Sequence, residues 1–361
     1  MKSFYFFIGT KAQAIKSQPL MSKMDKVTDL NVVLVDSGQH FLLTEKIFDT
    51  DNFMTLKLHT STKNISTYLS GFSWILKFII QNIISKNKQL RDDKSNTKIC
   101  VVHGDTMSTL LGMLWAKRNN MGVLHLESGL TSNDILNPFP EELIRRVVSK
   151  YSDILICFDS QSHNFLIGKY NKTKKIIKRI SNNTIVDTFN QESVSENNKL
   201  VTVTLHRNEN LLSRRRVDSL VKLLTEINNS FKINWYLHEP TQNMLKKRKF
   251  SLPENVNLLP LIEHNKFLNE IKKSYLIITD GGSIQEECFY LNKNAILWRK
   301  STERPYALNQ RIYLSNYDIK SSLKHIEKIS KLQEISPSDF KSPSSEILEF
   351  ITTELGSQLE Y

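Results

Sequence analysis

The sequence predicts an α/β protein of two Rossmann-like, doubly wound domains facing each other across a cleft. Three observations lead there. Short apolar runs alternate with helical patterns along the whole chain, and most runs are apolar at nearly every position, as strands of a parallel sheet covered on both faces must be. A length of 361 residues accommodates two ordinary domains, each with a core. A polar stretch over residues 181–199, rich in Asn and Ser and without sustained period, reads as the linker.

In the first half the expected strands are FYFFI (4–8), NVVLV (31–35), KICVVH (98–103), GVLHL (122–126) and DILICF (153–158). In the second half they are LVTVTL (200–205), INWYL (233–237), VNLLPL (256–261), SYLIIT (274–279) and NAILW (294–298). The boundaries follow: an N-terminal domain over 1–185, a C-terminal domain over 186–335, and a closing helix over 336–361 able to pack back on the N-terminal domain through residues such as Ile347, Phe350 and Ile351. The most hydrophobic window is YLSGFSWILKFIIQNII (68–84). Leu69, Phe72, Leu76, Ile79, Ile80 and Ile83 recur at helical spacing while Lys77 and Gln81 interrupt, which predicts an amphipathic core helix rather than a membrane span.

Composition narrows the partners. The 49 Lys and Arg exceed the 37 Asp and Glu by 12, but the lysines are spread without a basic block, so a nucleic-acid arm is not expected, and small anionic substrates or an anionic membrane surface account for the charge. Cys100, Cys157 and Cys288 are far apart and lie in or beside apolar runs, which predicts buried free thiols in a reducing compartment. The N-terminal segment lacks the apolar core and cleavage site of a signal peptide, so a cytoplasmic protein without integral membrane segment is expected.

Ligands of open α/β sheets bind beyond the carboxyl ends of the strands, so the polar residues there are the candidates. Gly9, Thr10, Lys11 and Lys16 follow the first run; Gly104-Asp105-Thr106 follow KICVVH; Glu127-Ser128-Gly129 follow GVLHL, with Glu141, Glu142, Arg145 and Arg146 in the next segment. In the second half His206-Arg207, His238 and Asp280-Gly281-Gly282-Ser283 stand at strand ends, with Glu286 and Glu287 on the helix that follows. Singly, each has a plain reading as a helix cap, a turn or a structural histidine. Together they place carboxylates at neighbouring strand ends of one domain and a glycine-rich helix start, suited to a phosphate, in the other. Asp105, Glu127 and Glu141 are expected to form a carboxylate cluster in which like charges raise one member's pKa, so that one acts as acid and another as base. No His, Asp or Cys set has metal-ligand spacing, so no metal is expected.

The succession IGTKAQAIKSQPL, VHGDTMSTLLGMLWAKRNNMGVLHLESGL, NPFPEELIRR, NNTIVD, LVTVTLHRNENL and LIITDGGSIQEECFYLNKNAILWRKSTERP resembles the non-hydrolysing UDP-N-acetylglucosamine 2-epimerases of bacteria, in order and spacing from about residue 4 to 312. The resemblance implies a fold like the B-type glycosyltransferases and an isomerase reaction without NAD, metal or other cofactor. In that reaction the C2 proton is removed, UDP is eliminated, and a 2-acetamidoglucal takes a proton on its other face before UDP returns. It further implies Asp105, Glu127 and Glu141 as catalytic acids and His206 with Lys16 as contacts to UDP or the departing phosphate. Gly281, Gly282, Ser283 and Glu287 fall on the diphosphate and ribose site, and Phe267 near the uracil. Gly9, Lys11, Arg145, Arg207, His238 and Arg304 complete the expected substrate contacts. The implied activity interconverts UDP-GlcNAc and UDP-ManNAc, or a related UDP-2-acetamido sugar, for bacterial surface polysaccharide such as capsule or O-antigen, in a homodimer. The alternative is a family member diverted to glycosyl transfer or hydrolysing epimerisation.

The chain also departs from the family. Lys11-Ala12-Gln13 stands where the resemblance implies Arg-Pro-Glu, which replaces a bidentate guanidinium by a point charge and a proton acceptor by an amide. Thr131-Ser132 replaces Arg-Thr, and Asn208 replaces a second arginine after His206. Gln39-His40 keeps part of an allosteric UDP-sugar pocket, while Phe41-Leu42 replaces the Arg-Glu that usually follows.

Overall fold

The computed structural model describes residues 2–39, 53–58, 68–84, 95, 97–132, 139–189, 194–332 and 340–355. The chain forms two compact units, Met1–Thr188 with Phe340–Tyr361, and Phe189–Asp339.

Unit 1 carries a seven-stranded parallel sheet of β1 (Lys2–Ile8), β2 (Leu30–Asp36), β3 (Met54–Lys57), β4 (Thr97–His103), β5 (Gly122–Leu126), β6 (Ile154–Cys157) and β7 (Ile176–Arg179), in the order β3-β2-β1-β4-β5-β6-β7. The crossovers carry α1 (Lys11–Met24), α2 (Tyr68–Phe78), α3 (Met107–Arg118), α4 (Glu141–Tyr151) and α5 (Ser160–Tyr170). Successive β1 side chains feed opposite faces, as the pleat requires. Phe4, Phe6 and Ile8 join Leu20, Met21 and Met24 of α1 on one side, while Tyr5 and Phe7 join Trp74, Phe78 and Trp115 on the other.

Unit 2 repeats the plan with β8 (Asn197–Thr204), β9 (Lys232–Leu237), β10 (Val256–Pro260), β11 (Ser274–Thr279), β12 (Ala295–Leu297) and β13 (Ile312–Leu314), ordered β10-β9-β8-β11-β12-β13, all parallel. Its helices are α6 (Asn208–Leu211), α7 (Arg214–Ile227), α8 (Glu239–Arg248), α9 (His264–Lys273), α10 (Gly282–Tyr290) and α11 (Ile319–Ile329). The final helix, α12 (Pro343–Thr353), belongs to unit 1, where Ile347, Phe350 and Ile351 enter the cluster of α1 and β1. Each sheet is doubly wound, and strand order reverses between β1 and β4 in unit 1 and between β8 and β11 in unit 2.

The structure corrects four details of the sequence reading. Strands β3, β7 and β13 have no counterpart among the predicted runs; they are three or four residues long, too short to show a period, and β3 and β7 are mixed in polarity. Much of the supposed linker is ordered: Thr184–Thr188 is a 3-10 turn with Thr184, Ile185 and Val186 buried, and β8 begins at Asn197. In α2 the exposed row is Phe72 and Leu76, continued by Ile80 in the π-helical turn Ile79–Ile84, while Trp74 and Phe78 are buried. Trp74 Nε1 donates to the Ser37 carbonyl at 3.0 Å and Phe78 meets Phe7 edge-on at 5.8 Å, so two large rings outbid the aliphatic row for the core. Finally, two of the three carboxylates expected to cluster, Asp105 and Glu127, each sit on a cation, as described next. All three cysteines are free and buried, and among the described residues no helix is long and apolar enough to cross a membrane.

Candidate functional site

In unit 1 the strand-order reversal brings the ends of β1 and β4 side by side. Gly9 leaves β1 where a Cβ would lie 2.4 Å from Ser108 Cβ and 2.5 Å from Ser37 Oγ, so only glycine passes there. Thr10 caps α1 in a capping box with Gln13. Gln13 is buried, and its amide is read at both ends. Oε1 accepts from the backbone N–H of Gly9 at 3.0 Å and Thr10 at 3.2 Å, while Nε2 donates to the His103 carbonyl at 2.8 Å. The amide that replaces the family's acid therefore ties the β1 loop to the end of β4. Lys11, the first residue of α1, is partly buried.

After β4 the chain turns at Gly104 (φ 69°) and presents Asp105. Arg145 on α4 grips it, with Nε 2.8 Å and Nη2 2.6 Å from Oδ2. The same guanidinium donates through Nη1 to Glu142 Oε2 at 2.7 Å. Glu142 is fully buried and also accepts from Thr131 Oγ1 at 2.7 Å, Arg146 Nε at 3.0 Å and the Ser132 N–H at 3.2 Å. Burial pushes the Glu142 carboxyl up, but these donors outweigh it and hold the group below its ordinary value.

After β5 Glu127 adopts a left-handed backbone (φ 62°), unusual for a residue other than glycine and costing of order 1 kcal/mol. The strain aims its carboxylate inward. Lys16 Nζ donates to both oxygens at 3.0 Å, with Lys16 and Glu127 both buried. His103 Nε2 lies 3.2 Å from Glu127 Oε2, and its Nδ1 is 3.3 Å from Ser17 Oγ. Beneath them His125 Nε2 meets the Gly104 carbonyl at 2.7 Å; burial depresses this imidazole to about 4, so it is neutral at pH 7 and Nε2 carries the proton. Glu141, the first residue of α4, is partly buried at the helix N-terminus, where the dipole favours an anion.

In unit 2 the reversal lies between β8 and β11. Asp280, fully buried at the end of β11, accepts from the backbone N–H of His206 at 3.0 Å and Arg207 at 2.9 Å and from Asn210 Nδ2 at 2.9 Å. One carboxylate thus fixes the whole turn after β8. The His206 ring lies 4.7 Å from that of His238, the N-cap residue of α8. Burial lowers the His206 pKa, with Asp280 opposing, which leaves a neutral ring near pH 7.

Gly281 caps α10, and a Cβ on it would meet His206 Cε1 at 3.1 Å; one on Gly282 would meet Arg304 Nη1 and Glu303 Oε1, each at 2.5 Å. Ser283, in the first turn of α10, is partly buried. Against this helix start three guanidiniums converge on Glu303: Arg304 Nη1 at 2.6 Å and Arg207 Nη2 at 3.3 Å from Oε1, and Arg299 Nη1 at 2.8 Å from Oε2. Further carboxylates share the cluster, Glu286 Oε2 lying 3.5 Å from Arg304 Nε and Glu209 Oε1 3.9 Å from Arg299 Nε, so the guanidiniums are held in one ionic network beside the helix start. Further along α10, Glu287 Oε1 lies 3.0 Å from His264 Nε2, while its buried Oε2 has no hydrogen-bond partner among the described residues. Phe267 on α9 packs edge-on against Tyr236 at 5.4 Å.

Within unit 1, then, Gly9, Lys16, Asp105, Glu127 and Arg145 meet around the strand-order reversal; within unit 2, His206, Arg207, Gly281, Gly282 and Arg304 do. Sequence reasoning named Glu142 beside Glu141 without giving it a role, and missed His103, Arg299 and Glu303 as site residues. All four lie inside the quoted motifs, but their partners are revealed only by tertiary contact. His40 and Phe41-Leu42 of the expected allosteric pocket lie outside the described residues. Among the described residues no group of three or more His, Cys, Asp or Glu is placed to hold a metal ion.

The sequence profile of the family described as UDP-N-acetylglucosamine 2-epimerase matches residues 22–344. A UDP-N-acetylglucosamine 2-epimerase of Methanococcus maripaludis is 30% identical over 354 residues, covering 90% of this chain and 90% of that one. That of Campylobacter jejuni is 29% identical over 335 residues, covering 85% and 84%. In fold, the chain is similar to the crystal structure of the Methanocaldococcus jannaschii UDP-GlcNAc 2-epimerase in complex with UDP-GlcNAc and UDP, with a TM-score of 0.78 at 24% identity over 98% of this chain and 99% of that one.

Proposed function

From the premise that the chain belongs to the UDP-N-acetylglucosamine 2-epimerase family, we propose that it interconverts UDP-GlcNAc and UDP-ManNAc by elimination and re-addition of UDP. The observation that carries this reading is the pair of carboxylates at the strand-order reversal of unit 1, Asp105 on Arg145 and Glu127 on Lys16. A C2 proton beside an amide is weakly acidic, so its removal needs a positioned carboxylate acting together with departure of the diphosphate. In this reading Asp105, Glu127 and Glu141 exchange protons with the sugar. His206 and the arginines on Glu303, with the N-terminus of α10, stabilise the charge that builds on the leaving diphosphate, where such donors lower the barrier most. Glu287 Oε2, buried without a hydrogen-bond partner among the described residues, would accept from a ribose hydroxyl. Lys16, seated on both Glu127 oxygens, serves the proton chemistry by holding that carboxylate.

The reading extends to a homodimer in the cytoplasm that supplies surface polysaccharide synthesis; light scattering of the purified protein tests the dimer. Incubation with UDP-GlcNAc in D2O, followed by NMR, tests the reaction. Deuterium at C2 and formation of UDP-ManNAc are expected. Absence of both, with no free UDP, refutes the activity on this substrate, and free ManNAc with UDP would instead identify a hydrolysing epimerase, the alternative that the Lys11-Ala12-Gln13 departure brings forward.

A further inference from the structure

We infer that Glu142 is a positioning residue for the reaction, acting on Asp105 through Arg145. The inference deepens the epimerase reading and rests on it for its kinetic arm. Glu142 and Glu141 are adjacent at the start of α4, yet their surroundings differ. Glu141 is partly buried, whereas Glu142 is fully buried and accepts from four donors on two segments: Thr131 Oγ1 and the Ser132 N–H after β5, and Arg145 and Arg146 on its own helix. The first two bolt α4 to the loop that follows Glu127. The third fixes one edge of the Arg145 guanidinium at 2.7 Å, and the planar fork then presents its other edge, Nε and Nη2, to Asp105 Oδ2 at 2.8 and 2.6 Å.

Asp105 follows Gly104 in a left-handed turn (φ 69°), so Arg145 supplies the orientation that the backbone there leaves open. Arg145 is itself buried, and a guanidinium out of water needs its donors met by acceptors. Without Glu142 one edge of that fork loses its carboxylate, and the guanidinium re-seats at the expense of the Asp105 contact. The chain Asp105–Arg145–Glu142–Arg146 alternates in charge, which lets it persist out of water. Within it Glu142 is anchored to Thr131 and Ser132, the two residues that stand where the resembled family carries Arg-Thr.

The test combines a kinetic and a structural readout. Glu142→Gln keeps the size but removes the charge and one acceptor. We expect kcat for C2 exchange to fall about 10- to 100-fold while the UDP dissociation constant stays within about twofold at full stoichiometry. Glu142→Asp should recover part of the rate. In a crystal structure of Glu142→Gln, which needs no substrate, Arg145 should have left Asp105. Should that variant not fold, Thr131→Val, which removes one anchoring donor, should show a smaller kcat loss with the same unchanged UDP affinity. A rate equal to wild type, a parallel loss of UDP affinity and turnover, or Arg145 still seated on Asp105 in the variant would overturn the role of Glu142. A wild type without turnover, together with loss of the Arg145–Asp105 contact in the variant, would refute the epimerase reading and leave the positioning role standing.

Discussion

The two units share a strand order and place their polar groups at the same topological point, yet they arrange charge differently. Unit 1 deals its charges out singly. Lys16 takes Glu127, Arg145 spans Asp105 and Glu142, and Arg146 closes the chain. Unit 2 concentrates them, with Arg207, Arg299 and Arg304 converging on Glu303 beside the glycine-rich start of α10. Distribution holds individual carboxylates in fixed orientations, which proton transfer requires. Convergence gathers guanidiniums beside a helix N-terminus, an arrangement that suits an oxyanion. In the proposed reading one scaffold serves both uses, because the side chains at the strand ends, rather than the sheet, set the chemistry.

The sharpest way to break the contrast is to unpair unit 1. Lys16→Met leaves Glu127 buried without its lysine and should cost about 4 kcal/mol, lowering the melting temperature by roughly 10 °C in calorimetry. A change below about 1 kcal/mol would mean the pair is not the anchor described here.

Acid should find unit 1 next. Burial holds His125 at about 4, against an unfolded value near 6.5, so the unfolded chain binds the extra proton between those values. The stability this histidine contributes is complete above about pH 6.5 and is lost as pH falls from there to 4, about 3 kcal/mol in all. Denaturant titrations across that window should reveal the slope, and His125→Gln, able to keep the bond to the Gly104 carbonyl, should flatten it.

In unit 2 the matching variant should weaken binding more than folding. Arg304→Gln should raise the UDP dissociation constant about 30-fold by calorimetry, because a charged donor to phosphate contributes about 2 kcal/mol. Unchanged affinity would move the diphosphate away from the Glu303 cluster.

The smallest effect concerns the departure at Gln13. Restoring the family's acid with Gln13→Glu points a carboxylate oxygen at the His103 carbonyl, now 2.8 Å from Nε2. It should destabilise by about 1–2 kcal/mol at pH 7, less as pH falls and the new acid protonates, without raising turnover. A faster variant would show that position 13 takes part in proton transfer.

The sequence made the strands legible where they are buried on both faces, because such strands are apolar throughout. With them came Asp105, Glu127 and His206, which stand at strand ends. Edge strands β3 and β13 escaped because three or four residues carry no period. The choice between Glu141 and Glu142 was illegible for a different reason: both begin the same helix, and only the loop of Thr131 and Ser132, ten residues upstream of Glu142 at the nearer end, buries one of them. Likewise Glu303 looks like an ordinary loop acid until Arg207, from the turn after β8, joins Arg299 and Arg304 of its own loop on it. In α2, two aromatic rings decided the buried face against a longer aliphatic row.

Helix α12 closes unit 1 although unit 2 precedes it in the chain. During synthesis the first sheet therefore waits with the α1 side of its core uncovered while all of unit 2 is made. Leu20, Met21 and Met24 stay open to water, or to a chaperone, until Ile347 and Phe350 leave the ribosome. The unit made first is thus the unit finished last. A premature stop before α12 would leave unit 2 whole and unit 1, with Asp105 and Glu127, exposed to aggregation and proteolysis.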